Sequence, residues 1–99
     1  MPPPTDLNRW MHRKVEKRTP LPNGDQLLLL EAEKAYGGVS NLILVSKDGR
    51  ALWEAELVQK SPYTAVKIED EKLMAYSWAG YAAEIDMQTG VVISAVFTK

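Results

Sequence analysis

The sequence predicts an all-β domain: two four-stranded antiparallel meanders, blade-like in plan, packed as a sandwich or flattened barrel, with a short N-terminal arm or helix. Three observations carry this expectation. A hairpin signal occurs twice, Lys47-Asp48-Gly49-Arg50-Ala51-Leu52-Trp53 being answered by Gln88-Thr89-Gly90-Val91-Val92-Ile93-Ser94, with the glycines 41 residues apart. That spacing holds one four-stranded unit. Alternating apolar runs flank each hairpin, and Asn23-Gly24 adds a third tight turn whose residues tolerate positive φ.

Taken in order, residues 1–12 form an arm or short helix, since Leu7, Trp10, Met11 and Val15 recur at helical spacing behind Thr5 and Asp6. Pro2, Pro3 and Pro4 can neither continue a helix nor donate to a ladder, so the start is extended. Residues 13–99 make a single domain of two units, 13–57 and 64–99. In the first, a strand over 13–19 turns at Leu21-Pro22-Asn23-Gly24-Asp25 into a strand over 26–32. Four successive leucines, 27–30, cannot alternate between core and water, so that strand is expected to be covered on both faces. Ala35-Tyr36-Gly37-Gly38 connects to a strand over 39–46, doubly apolar at 42–45, and Asp48-Gly49 turns into residues 50–57, where Ala51, Trp53 and Ala55 are expected to share a face. Residues 58–63 link the units, with Pro62 interrupting any strand. The second unit repeats the plan with strands over 64–69, 72–78, 81–86 and 91–97.

Composition bounds the function classes. Ninety-nine residues suit one domain, with 45% hydrophobic and 25% charged residues. A net charge of −1 gives no global field toward nucleic acid or an anionic membrane. Without cysteine there is no disulfide, thiolate metal site or Cys nucleophile, which fits a reducing compartment. No apolar segment has the form of a secretory signal or a membrane span. A soluble, cytoplasmic protein is the expectation.

The segment Glu84-Ile85-Asp86-Met87-Gln88-Thr89-Gly90-Val91-Val92-Ile93 resembles the repeat of pyrroloquinoline-quinone-type β-propeller blades, in which an apolar residue, Asp, two variable residues, Thr and Gly precede an aliphatic strand. Such blades often carry a Trp four residues after the Gly. Trp53 stands there after Gly49, whereas Ser94 stands there after Gly90, and the first unit has Ser46 and Asp48 in place of the Asp and Thr. The resemblance covers roughly the last three quarters of the chain and implies blade-like units. It does not extend to the quinone or calcium residues, so no cofactor is expected. Two blades cannot close a ring, since propellers use about four to eight. The unfilled faces are therefore covered within the chain or by further copies, and the edges at 13–19 and 91–97 are natural places for pairing between chains.

Reactive constellations are missing. His12 stands alone beside Arg13 and Lys14, Glu69-Asp70-Glu71 reads as a solvated turn, and the serines have neither a partner base nor a nucleophile elbow. The expectation is a non-enzyme. The aromatics Trp78, Tyr81 and Tyr63 are the best material for partner binding, because Trp and Tyr join a buried body to a polar tip. Arg13, Lys14, Lys17 and Arg18, near Trp10, offer an alternative as a nucleic-acid arm, set against a charged edge strand that discourages aggregation. The preferred expectation is a protein-interaction or self-assembly module, a homo-oligomer among the forms it could take. Nucleic-acid binding through the basic segment and a small-ligand pocket near Trp78 and Tyr81 are the alternatives.

Overall fold

In the computed structural model, which describes residues 9–10, 13–31 and 40–98, the chain forms two antiparallel sheets. The first contains β1 (Arg9–Trp10), β2 (Arg13–Pro20), β3 (Gln26–Leu30), β4 (Leu42–Val45) and β5 (Ala51–Glu54), side by side in chain order. The second contains β6 (Tyr63–Glu69), β7 (Lys72–Ser77), β8 (Tyr81–Ile85) and β9 (Val92–Phe97), also in chain order. The two meanders are thus as expected, with one addition. Where helical spacing suggested a short helix, Arg9 and Trp10 pair with Lys14 and Arg13 as a two-residue strand. A ladder to an existing strand satisfies backbone groups that so short a helix would leave open at both ends. The rest of the arm lies outside the described residues, as does the connection expected at Ala35–Gly38.

The sheets pack face to face through one shared core. Cross-strand rows Leu27–Leu44–Trp53 and Leu29–Leu42–Ala55 of the first sheet meet Tyr63, Val66, Leu73, Ala75, Ala83 and Ile85 of the second. The leucine run behaves as its pattern demands, with all four side chains no more than 4% exposed. Leu27 and Leu29 enter the shared core, while Leu28 and Leu30 join Ile43, Val45 and Val15 on the opposite face. Ala51 corrects the expected face. A register shift between Leu44 and Val45 sets Trp53 opposite Leu44 but Ala51 opposite Val45, so Ala51 leaves the Trp53 side and is exposed.

Both hairpin glycines sit in the left-handed region, at φ 92° for Gly49 and 80° for Gly90, but the turns differ in length. The first closes where the Ser46 amide donates to the Arg50 carbonyl (2.8 Å), the second where the Asp86 amide donates to the Val91 carbonyl (2.9 Å). In the second, the Asp86 carboxylate accepts from the Gln88 amide (2.7 Å) and the Thr89 hydroxyl from the Val91 amide (3.3 Å), so both side chains brace the turn. In the first, Ser46 donates to Asp48, and that bond, ahead of the Arg50 charge, holds the Asp48 carboxyl below the usual range.

Three residues lace the sheets together. Asn41, fully buried, donates to the carbonyls of Leu30 (3.0 Å) and Tyr63 (2.6 Å) and accepts from the Tyr63 amide (2.9 Å). Trp53 donates from Nε1 to the Met87 carbonyl (2.9 Å). Glu56 bonds three ways: its amide donates to the Gly90 carbonyl (2.8 Å), its carbonyl accepts from the Tyr63 hydroxyl (2.6 Å), and its carboxylate accepts from the Val92 amide (2.9 Å).

Candidate functional site

Among the described residues, each sheet ends in strands whose outer backbone groups have no ladder partner, and such edges are commonly blunted by charge, Pro, bulges or brevity. Three of the four outer borders follow that rule. The β1–β2 side has a two-residue outermost strand and the cations of β2. β5 is four residues long, ends in Glu54 and follows Arg50. β6 has a register shift between Tyr63 and Ala65, together with the ion pair Lys67–Glu69.

β9 follows it only at its head, where a register shift opposite Glu84 and Ile85 leaves Ile93 as an extra residue. Its sequence, Val92-Ile93-Ser94-Ala95-Val96-Phe97, has no charge and no Pro, and every residue from Ile93 onward is exposed. Ile93 (58%), Val96 (63%) and Phe97 (55%) are among the most exposed apolar side chains of the described residues. The Ala95 position extends the inward row Val66–Ala75–Ala83 past the cover of the first sheet, which is why β9 stays wet on both faces.

The polarity of this edge can be read residue by residue. The Thr98 amide donates to the Gly80 carbonyl at 2.8 Å. Antiparallel neighbours alternate between bonding inward and facing away, so Val96 and Ser94 bond toward β8, while Ala95 and Phe97 turn amide and carbonyl to the open side. At the head of the strand the Glu56 carboxylate already holds the Val92 amide. The open window is therefore residues 93–97.

Beside it stand the aromatics singled out in the sequence, which separate. Trp78 is 69% exposed at the turn between β7 and β8. Tyr81 is half-buried, its ring tilted 60° against that of Phe97 with centroids 5.2 Å apart, and its hydroxyl accepts from Gln59 Nε2 (2.9 Å). Tyr81 thus pairs with β9 rather than with Trp78. Tyr63 leaves the binding set: it is fully buried, and its hydroxyl is committed to the Glu56 carbonyl. Burial, then the nearby Glu56 charge, push its phenol up to about 12. A side chain without exposed surface cannot meet a partner; Pro62 ahead of it had suggested a link segment, but Tyr63 opens β6.

The basic residues are divided as well. The pleat and the register shift of β2 set Val15 opposite Leu30, Lys17 opposite Leu29 and Arg18 opposite Leu28. Arg13 and Arg18 therefore share the Leu28 side, and Lys14 and Lys17 the other. Arg13 donates to the Ser40 carbonyl (2.6 Å), and Arg18 to Gln26 Oε1. Four cations adjacent in sequence do not make one patch.

Among the described residues, no three His, Asp or Glu side chains gather as a metal site would require, and no helix is long and apolar enough to cross a membrane. Sequence reasoning missed Glu56 and Asn41, whose partners lie up to 36 residues away and leave no local signal. It did not single out Ile93, Val96 and Phe97, although the lack of any charge over residues 91–97 was a legible one.

No curated protein and no solved structure matches the chain. One family model does, over residues 23–97, which takes in β3 to β9, from the Asn23-Gly24 turn to the last residue of β9. The chain belongs to the family described as a domain of unknown function, DUF7957.

Proposed function

We propose that this chain is a non-catalytic, cytoplasmic protein-binding module that engages its partner along the free edge of β9. The observation that supports the reading is the contrast among the borders: three are short or charged, whereas β9, bulged only at Ile93, is six residues long, uncharged and exposed. A strand added there would gain main-chain bonds from Ala95 and Phe97 and cover Ile93, Val96 and Phe97. Trp78 and Tyr81 lie at the Phe97 end and would flank the added strand. The split of Arg13, Lys14, Lys17 and Arg18 over two faces weighs against a nucleic-acid surface, where cations must converge on one run of phosphates.

The test is capture from a lysate of the protein's own cells by the immobilised chain, alongside Val96→Lys and, on the far border, Lys67→Ala. Proteins bound through β9 are lost with Val96→Lys and kept with Lys67→Ala. Equal capture by all three chains would remove the edge from consideration.

A further inference from the structure

We propose that the occupant of the β9 edge is a second copy of this chain, paired antiparallel about a two-fold axis at Ala95, so that the two four-stranded sheets join into one of eight. The inference rests on the edge-binding reading above and adds the partner and the register.

Two features of the strand favour a copy of itself. The first is charge. β9 has none, so two copies place no like charges opposite one another, whereas a charged partner strand would find no counter-charge. The second is symmetry. A two-fold axis perpendicular to the sheet keeps inward rows inward, so residues facing each other must have the same parity. The groups free to bond outward are those of Ala95 and Phe97, which makes Ala95 opposite Ala95 a pair that exchanges two hydrogen bonds.

That register also satisfies the remaining positions. Ser94 falls opposite Val96, and Ile93, the extra residue of the β8–β9 register shift, comes opposite Phe97 at the end of the overlap. Two competing registers have matching parity: one centres on Ser94 and sets Val91 opposite Phe97, the other centres on Val96 and sets Ala95 opposite Phe97 and Ser94 opposite Thr98. The first requires the strand's head, where the Glu56 carboxylate holds the Val92 amide and closes the edge. The second runs past Phe97, the last residue of β9, so centring on Ala95 keeps the whole overlap within the strand. A five-residue edge is smaller than the roughly 800 Å² per partner of a standard stable interface, so the dimer is expected to dissociate on dilution.

The chain has no cysteine, which makes a single-cysteine scan unambiguous. Ile93→Cys, Ser94→Cys, Ala95→Cys and Val96→Cys are each oxidised in the full chain at high concentration. Hydrogen-bonded antiparallel neighbours have Cα atoms about 5.5 Å apart, within disulfide reach. Ala95→Cys is expected to crosslink most, and a mixture of Ile93→Cys with Phe97→Cys to give the heterodimer. A maximum at Ser94→Cys or at Val96→Cys overturns the register. Ala95→Pro removes the outward amide without touching the β8 ladder and is expected to sediment as monomer; Ile93→Lys serves if the proline variant fails to fold.

A labelled peptide of residues 91–99, with a scrambled peptide of the same composition, separates the two levels of the proposal. Binding of the native peptide alone supports self-pairing. If the chain sediments as monomer at all concentrations without crosslinks yet binds both peptides equally, the edge reading stands and self-pairing falls. If neither peptide binds and no dimer forms, both fall.

Discussion

Gly90→Ala isolates the contact on which the two hairpin repeats meet. A Cβ at Gly90 would lie 2.7 Å from Trp53 Cε3, 2.8 Å from Trp53 Cδ2 and 3.1 Å from the Glu54 carbonyl oxygen. The indole cannot swing aside freely, since it is buried and its Nε1 is bonded to the Met87 carbonyl. Gly49 supplies the control, having a similar positive φ but nothing within 4 Å of the added atom. Both substitutions carry the left-handed backbone cost of about 1–2 kcal/mol. Gly90→Ala adds overpacking of about 1–3 kcal/mol. The gap between the variants should then be roughly 5–20 °C in Tm, at about 4–8 °C per kcal/mol for a domain near this size. Far-ultraviolet circular dichroism, melted by heat and by urea, reads both. Trimming the ring closes the cycle: in a Trp53→Leu background, Gly90→Ala should cost no more than Gly49→Ala. Equal losses for the two alanine variants in the natural background would refute the steric argument, as would an undiminished loss beside Trp53→Leu.

Asn41→Leu, close in volume, leaves the Tyr63 amide and the Leu30 and Tyr63 carbonyls short of a partner and should cost about 2–4 kcal/mol in urea unfolding. The Tyr63 phenol stays neutral in the folded chain to about pH 12, while in the unfolded chain it ionises near its ordinary value of 10.0. Its contribution is therefore complete below pH 10 and lost as pH rises from 10 toward 12; Tyr63→Phe should be less stable at neutral pH, through the lost bond to Glu56, but show a shallower decline over that alkaline window. Glu56→Gln keeps an acceptor for the Val92 amide and Glu56→Ala does not, so urea melts should place the alanine variant about 0.5–1.5 kcal/mol below the glutamine one. Val96→Lys, on an exposed side chain, should leave the unfolding free energy in urea melts within about 0.5 kcal/mol of the natural chain while changing its association.

The architecture was legible because its signals are local. Alternation, Asn-Gly and Asp-Gly turns and a doubly apolar leucine run all act within a few residues, and each appears in its place. What escaped depends on register and distance. Ala51 changed sides through a one-residue shift that no periodicity announces. Tyr63 read as binding material because Trp and Tyr join a buried body to a polar tip, yet its neighbours Asn41 and Glu56 draw it into the core. The repeat itself gained a physical meaning. Trp53 follows the first hairpin but packs on the glycine of the second, so the two hairpins are joined through one indole.

That exchange bears on why β9 matters. The fold uses the strand's head: Gly90 beneath Trp53, and the Gly90 carbonyl and Val92 amide held by Glu56. The tail contributes its inner ladder to β8 but buries little apolar surface, since Ile93, Val96 and Phe97 each keep more than half of their surface in water. Polar β-formers at those positions would cost the monomer little, whereas an uncharged apolar edge exposes it to uncontrolled pairing. Within the lone chain, then, the tail brings a hazard with little compensating stability. The same residues become useful once a strand lies against them, because Ala95 and Phe97 then bond outward and the apolar side chains are covered. An occupied edge, as proposed, would resolve the balance between a cheap polar alternative and an apolar sequence, and the crosslinking scan at Ala95 measures whether the chain itself is the occupant.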